Sequence, residues 1–285
     1  MPVAIVSDTC HYLVAEQVRE HRIHEVSLYV HWGGETQRES EISDYDSYYE
    51  RLGAATDLPT TSQPSIGDFL AVYEPLLEEA DAEIVSIHLA GGMSGTVRSA
   101  EQAREQLGAR ARRVHVVDSR SACGGEGLVV LAAAAAARAG ADGTAVAERA
   151  QRARSELKMW FSIDTLEYLR RGGRIGGAQA WLGGALKIKP ILTVESEITP
   201  IERVRTSRRA FERMVDLLRE RAEAGADGWM VQHIQARAQA LELVERGREL
   251  FGCDPVTISE IGPVIGAHVG PGLLGVGGLP SSFLQ

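Results

Sequence analysis

Through its first half the chain alternates short apolar runs with longer amphipathic ones, and this alternation limits its folding choices most. The runs at 3–7, 26–30, 83–88 and 113–118 read as strands, and the stretches at 11–21, 43–54, 65–80, 94–107 and 125–139 carry helical spacing. Strand–loop–helix order of this kind predicts an α/β domain on a parallel sheet with helices on both faces. Ligands of such sheets bind beyond the carboxyl ends of the strands. Three of those ends carry hydroxyls or glycines: Ser7-Asp8-Thr9, Gly91-Gly92-Met93-Ser94-Gly95-Thr96 and Asp118-Ser119. The six alanines Ala132–Ala137 predict a buried helix, because alanine favours helix and permits close packing.

The second half differs in texture. An Arg/Glu-rich helix at 144–157 leads to a strand at 159–163 and a glycine-rich corner, Arg170-Arg171-Gly172-Gly173-Arg174. Extended runs at 188–195 and 198–205 flank a tight turn at Glu195-Ser196-Glu197. Helices at 206–223 and 236–251 alternate with strands at 228–234 and 255–260. With 285 residues, at ~100–200 per domain, the chain divides into about two domains. We expect an α/β domain over 1–160 and a smaller one with a mixed sheet over 161–285, the last strand being free to return to the first.

Composition excludes several classes. Acidic residues number 39 against 30 basic ones, a formal net charge of −9, which argues against a nucleic-acid binder with a basic stripe. Only Lys158, Lys187 and Lys189 are lysines, and Asn is absent, a skew that reflects genome composition more than function. Cys10, Cys123 and Cys253 lack metal or CxxC spacing, so they read as reduced thiols, with Cys10 and Cys123 as small core fillers. The longest uncharged apolar run falls short of a membrane span, and the first residues lack a signal-peptide pattern, so a cytoplasmic protein is expected. Neither a P-loop nor a GxGxxG fingerprint is present, and the histidines show no metal-binding spacing.

Several segments admit two readings. Ser65 and Asp68 suit a helix cap, but Thr60-Thr61-Ser62-Gln63 ahead of them exceed what a cap needs. Ser94-Gly95-Thr96 stands where a strand meets a helix. There, free backbone N–H groups and the helix dipole favour an anion, although a plain serine cap has the same look. The arginine corner and Arg203-Val204-Arg205 serve equally as ordinary element ends or as guanidiniums for a phosphate or an acidic partner. His268, among Gly266, Gly270 and Gly272, reads as an imidazole presented by a tight loop. The glycine pairs 172/173, 176/177 and 183/184, with Ala178, Ala180 and Ala185, leave room either for a ligand chain or for close packing.

Taken in order, Ser7-Asp8-Thr9, Thr61-Ser62-Gln63-Pro64-Ser65, Ser94-Gly95-Thr96, Asp118-Ser119, Leu169 to Ile175, Lys187 to Leu192, Val204-Arg205-Thr206 and Gly266 to Gly272 resemble the DegV family across nearly the whole chain. The resemblance implies a two-domain α/β carrier that is not itself an enzyme and uses no cofactor or metal. Its ligand would be a long-chain fatty acid held between the domains. A separate ATP-dependent fatty acid kinase subunit would phosphorylate the presented carboxylate, and the acyl phosphate would feed phospholipid synthesis. The carboxylate would be bound by Thr61, Ser62, Ser94, Gly95 and Thr96 with His268 nearby, and Arg174 and Arg205 would serve partner docking and phosphate handling. Departures from the family pattern at Cys10-His11 and at His88 to Met93 bear on the tail pocket more than on the head group. The competing readings are a small-anion hydrolase or transferase using Cys10 or His268, and a purely regulatory lipid-sensing protein.

Overall fold

The computed structural model describes residues 3–182 and 188–285; Gly183, Gly184, Ala185 and Lys187 lie outside the described residues. In the first half, β1 (Val3–Asp8), α1 (Ala15–Glu20), β2 (His24–Val26), β3 (Tyr29–Trp32), β4 (Glu35–Arg38), α2 (Tyr45–Ala54), β5 (Thr60–Ser62), α3 (Ile66–Leu76), β6 (Glu83–His88), α4 (Thr96–Gln106), β7 (Val114–Asp118), α5 (Cys123–Arg138) and α6 (Gly143–Glu156) follow one another. The second half comprises β8 (Lys158–Ser162), α7 (Glu167–Arg171), β9 (Lys189–Glu195), β10 (Glu197–Val204), α8 (Ser207–Glu223), β11 (Gly228–His233), α9 (Arg237–Phe251), β12 (Thr257–Glu260), α10 (Pro263–Val269) and β13 (Leu274–Leu279).

Strands β2-β1-β6-β7 form the expected parallel sheet. Successive side chains of a strand point to opposite faces. Val6 and Ile84 accordingly pack with Phe69, Tyr73 and Ala100 of α3 and α4, while Ile5 and Val85 pack with Leu128 and Val146 of α5 and α6. The second sheet has the order β10-β9-β8-β13-β11-β12 and is mixed, since only β11 and β12 run parallel. Its outer face buries Ile191, Trp229 and Val276 against Met214 of α8 and Leu243 of α9. Its inner face, with Met159, Phe161, Leu192 and Met230, joins the same apolar cluster as α5. Helix α5 thus lies between the two sheets, and its stretch Ala132 to Ala135 is buried as expected, whereas Ala136 and Ala137 are half-buried.

Four expectations need correction. The last strand does not return to the first domain: β13 lies between β8 and β11, pairing antiparallel with both. The run 26–30 is not one strand, because the chain leaves the parallel sheet at Val26 and enters a separate antiparallel sheet, β4-β3-β5, at Tyr29. Residues 11–21 yield only the short α1 after a 3-10 turn at Thr9–His11. The glycine-rich segment around His268 is not a loop but α10, opened by Pro263 in its first turn, where a missing N–H costs nothing. Gly266 is small there because the Tyr49 ring packs on that face of the helix.

Candidate functional site

The site is assembled at the carboxyl ends of the parallel strands from segments far apart in the chain. Antiparallel pairing of β3 with β5 sets Thr61 opposite Val30 and Ser62 opposite Tyr29. Ser65 and Asp68 form a full capping box at the start of α3, which fixes the direction in which the hydroxyl strand enters that helix. Thr61 Oγ1 lies 2.8 Å from His268 Nε2, across 207 residues of sequence. Ser94 Oγ lies 2.8 Å from Thr96 Oγ1 and accepts the Thr96 N–H at 3.3 Å. Gly95 is the N-cap of α4, and any side chain there would overlap the Gln63 amide.

Thr61, Ser62, Gln63, Ser94, Arg174 and His268 line one cavity together with Leu28, Leu89, Leu169 and Ile198 among others. Arg174 is held at the rim by donating to the carbonyls of Met93, at 3.3 Å, and Gly172, at 2.9 Å. Ser62 is engaged sideways, 2.8 Å from the His31 ring. Of the residues expected at the site, Gly95 and buried Thr96 stand behind Ser94 at the helix start rather than on the cavity wall. Arg205 is exposed at the junction of β10 and α8 and does not line the cavity.

Burial, with a lesser contribution from the Arg174 charge, lowers His268 to about 4, so the imidazole is neutral at physiological pH. Its Nδ1 is buried without a hydrogen-bond partner among the described residues, packed over Gly172. A proton on Nδ1 would therefore find no acceptor among the described residues. These conditions place the proton on Nε2, which then donates to Thr61 Oγ1. The Thr61 hydroxyl hydrogen is left free to point into the cavity, beside Ser94 and the first N–H groups of α4. The mouth therefore offers neutral donors to an anionic oxygen.

Beyond the mouth lies an apolar cavity lined by Met93, Phe161, Met159, Met230, Ile265 and Leu273 among others. It shares Met93, Ile198, Ile265 and Val269 with the polar-mouthed cavity. Three of the chain's five methionines line it, flexible side chains that repack around a guest. Sequence reading missed this wall. Its residues come from the mixed sheet, α5, α10 and the loops after β6 and β7, and each alone looks like ordinary core. By contrast, the glycines at 172, 176 and 177 serve packing, since they face His268, the Ile198 carbonyl and Pro200.

A buried relay also escaped notice. Tyr73 Oη donates to Ser86 Oγ at 2.6 Å, and Ser86 Oγ lies 2.7 Å from His88 Nε2. His88 Nδ1 lies 3.1 Å from Asp8 Oδ2, which also accepts the Leu89 N–H at 3.0 Å. The relay ties β1 to the end of β6, from which the loop to Ser94 departs. Cys10 is fully buried, and its thiol is pushed well up by burial and by Asp8 and Glu39 nearby. That is the wrong direction for a nucleophile.

Fold and site together define a class: an α/β protein with a parallel sheet, a mixed sheet and a small antiparallel one, and an apolar cavity against the mixed sheet that adjoins hydroxyl-bearing turns. The chain belongs to the DegV family, whose model, described as an uncharacterised protein family, matches residues 2–281. It is 36% identical over 279 residues to protein DegV of Bacillus subtilis, covering 97% of this chain and 98% of that one. A DegV domain-containing protein of Clostridium acetobutylicum is 38% identical over 283 residues, 97% of each chain. Among solved structures, a fatty acid-binding DegV family protein of Thermus thermophilus superposes with a TM-score of 0.87 at 35% identity, covering 98% of this chain and all of that one. DegV of Bacillus subtilis, a fatty acid binding protein, superposes equally well, with a TM-score of 0.87 at 34% identity over 98% and 99% of the two chains. No helix among the described residues is long and apolar enough to cross a membrane.

Proposed function

We propose that this protein is a non-catalytic carrier that binds a long-chain fatty acid between its lobes and presents the carboxylate to a separate ATP-dependent kinase subunit in the cytoplasm. The observation that carries the reading is the meeting of Thr61, His268 and Ser94 at a mouth whose inner wall is hydrocarbon. Solved relatives that bind fatty acids support it. Burying ~14 methylenes at ~0.8 kcal/mol each offers about 11 kcal/mol before binding costs, so the tail supplies the affinity. Thr61, Ser62 and Ser94, with Gly95 and Thr96 holding Ser94 in place from behind, then need only orient the head.

Neutral donors leave the carboxylate usable. A lysine or arginine clamped on it would hold the charge that must attack phosphorus. In the proposed reaction a carboxylate oxygen bonds to the terminal phosphorus of ATP on the partner as the bond to the ADP oxygen breaks, giving an acyl phosphate for lipid synthesis. Arg174 at the rim and the exposed Arg205 are the groups assigned to docking and phosphate handling. Buried, high-pKa Cys10 argues against the thiol-enzyme alternative.

Native mass spectrometry after mild purification tests the reading. A co-purified long-chain fatty acid is expected, and protein that emerges empty and cannot be loaded would overturn it.

A further inference from the structure

A third cavity, open to solvent at Arg120 and Lys158, adjoins the apolar one and shares Met159 and Val194 with it. Its character is opposite. Arg120, Arg154 and Lys158 line it, together with the serines at 119, 121 and 155. Lys158 is one of only three lysines in a chain of net charge −9. Glu195 is the one carboxylate in the lining.

The three cations come from separate elements: Arg120 from the turn after β7, Arg154 from the last turn of α6, and Lys158 from the first position of β8. Among the described residues none of them has an acidic partner within ion-pair distance, and residues 183–187 contain no Asp or Glu to supply one. The nearby carboxylate of Asp118 is turned to backbone instead, with Oδ1 accepting the N–H of Arg120 at 2.7 Å and of Gly91 at 3.2 Å. Arg120 is also fixed in the left-handed region, at φ 46°, with its carbonyl accepting the Ser196 N–H at 3.0 Å. A non-glycine residue there costs free energy that the surrounding structure must supply. Burial and the Arg120 charge lower Arg154, against an opposing pull from the Asp118 carboxylate, so the two guanidiniums lie near enough to repel. Like charges gathered around one cavity attract an anion, and paired guanidiniums match the two oxygens of a carboxylate or phosphate.

We propose that Arg120, Arg154 and Lys158 hold a second oxyanion, a carboxylate or phosphate group, in the chamber that adjoins the apolar cavity. Two sources share this chemistry. One is the distal carboxylate of a long-chain α,ω-dicarboxylic acid threaded through the apolar cavity, which rests on the fatty acid reading. The other is a free phosphate ion. Between the apolar cavity and the cationic chamber stands the Met159 side chain, whose sulfur accepts a hydrogen bond from Ser121 Oγ at 3.1 Å. A flexible thioether with a polar neighbour can move aside to join the two spaces.

Arg120→Gln/Arg154→Gln protein, with Lys158→Gln as a second variant, is compared with the unaltered full chain by titration with hexadecanoic acid, hexadecanedioic acid and inorganic phosphate. Because the exchanged side chains make no hydrogen bond among the described residues, folding and hexadecanoic acid affinity should be retained. If the distal carboxylate is the occupant, hexadecanedioic acid binds the unaltered protein and is weakened about tenfold in the variants. If a free ion is the occupant, saturable phosphate binding to the unaltered protein falls by a similar factor. Variants that match the unaltered chain toward both the diacid and phosphate overturn the proposal. Failure of the unaltered chain to bind hexadecanoic acid overturns the fatty acid reading alone, and the phosphate titration then decides the chamber by itself.

Discussion

Thr61 and His268 form a pair, with the hydroxyl 2.8 Å from the imidazole, and in the proposed function the hydroxyl faces the carboxylate. Ser94→Ala should weaken fatty acid retention by ~1–3 kcal/mol, the cost of a hydrogen bond lost to a charged group, as read by lipid titration. Titration of His268 should also mark stability. Its folded value near 4 lies below the ordinary 6.5, so between these values the unfolded chain binds a proton that the folded one refuses. Its contribution is complete above pH 6.5 and is lost as pH falls toward 4. Thermal unfolding of His268→Gln across that window should therefore fall less steeply than that of the unaltered chain. An equal slope would remove His268 as the source. Arg174 bonds two carbonyls at the rim and no hydroxyl of the head-group site, so Arg174→Ala should spare lipid binding while slowing phosphorylation by the proposed kinase partner. Parallel loss of both activities would contradict that division.

At the scale of elements, the placement of His268 depends on how closely α10 packs against α7. Gly172 sits at φ −77°, which any residue adopts, yet a methyl group there would strike His268 Nδ1. Gly172→Ala should leave the secondary structure intact, cost about 1–3 kcal/mol through overpacking, and weaken fatty acid binding by displacing the imidazole. Circular dichroism, thermal unfolding and lipid titration check the three parts. Most elements were legible because their signals are local: apolar spacing, the Ser65–Asp68 cap, and Thr206 before α8. Helix α10 was misread because its glycines answer to Tyr49 and Tyr168, partners from other segments, and resemble turn glycines in sequence. The break at Val26 was invisible for a similar reason. Two short strands in succession have the same alternation whether or not they share a sheet.

For the molecule as a whole, the decisive feature is that the inner faces of the two sheets meet around α5 without filling the space between them completely. Gly275, in the middle of β13, lines the apolar cavity, and a Cβ there would meet its neighbours only at ordinary contact distance, 3.6 Å from Leu273. Gly275→Val should therefore fold and take up space that the proposed function assigns to the acyl tail. Long acids should lose ~0.8 kcal/mol for each methylene displaced, while shorter acids keep their affinity, measured as a chain-length series. Uniform loss across chain lengths would mean that the tail lies elsewhere.

The sequence by itself determined the α/β class, the hydroxyl and glycine clusters at the strand ends, and, through eight motifs in order, the family. Each of those signals resides in neighbours along the chain, where backbone preference and periodicity act. Only the tertiary structure decided that Thr61 meets His268, that Arg205 stays outside the cavity, that β13 belongs to the second sheet, and that methionines from both halves wall one apolar space. Those facts depend on which faces pack together. A buried apolar residue has the same sequence signature whether the surface opposite it is another side chain or the place of a guest.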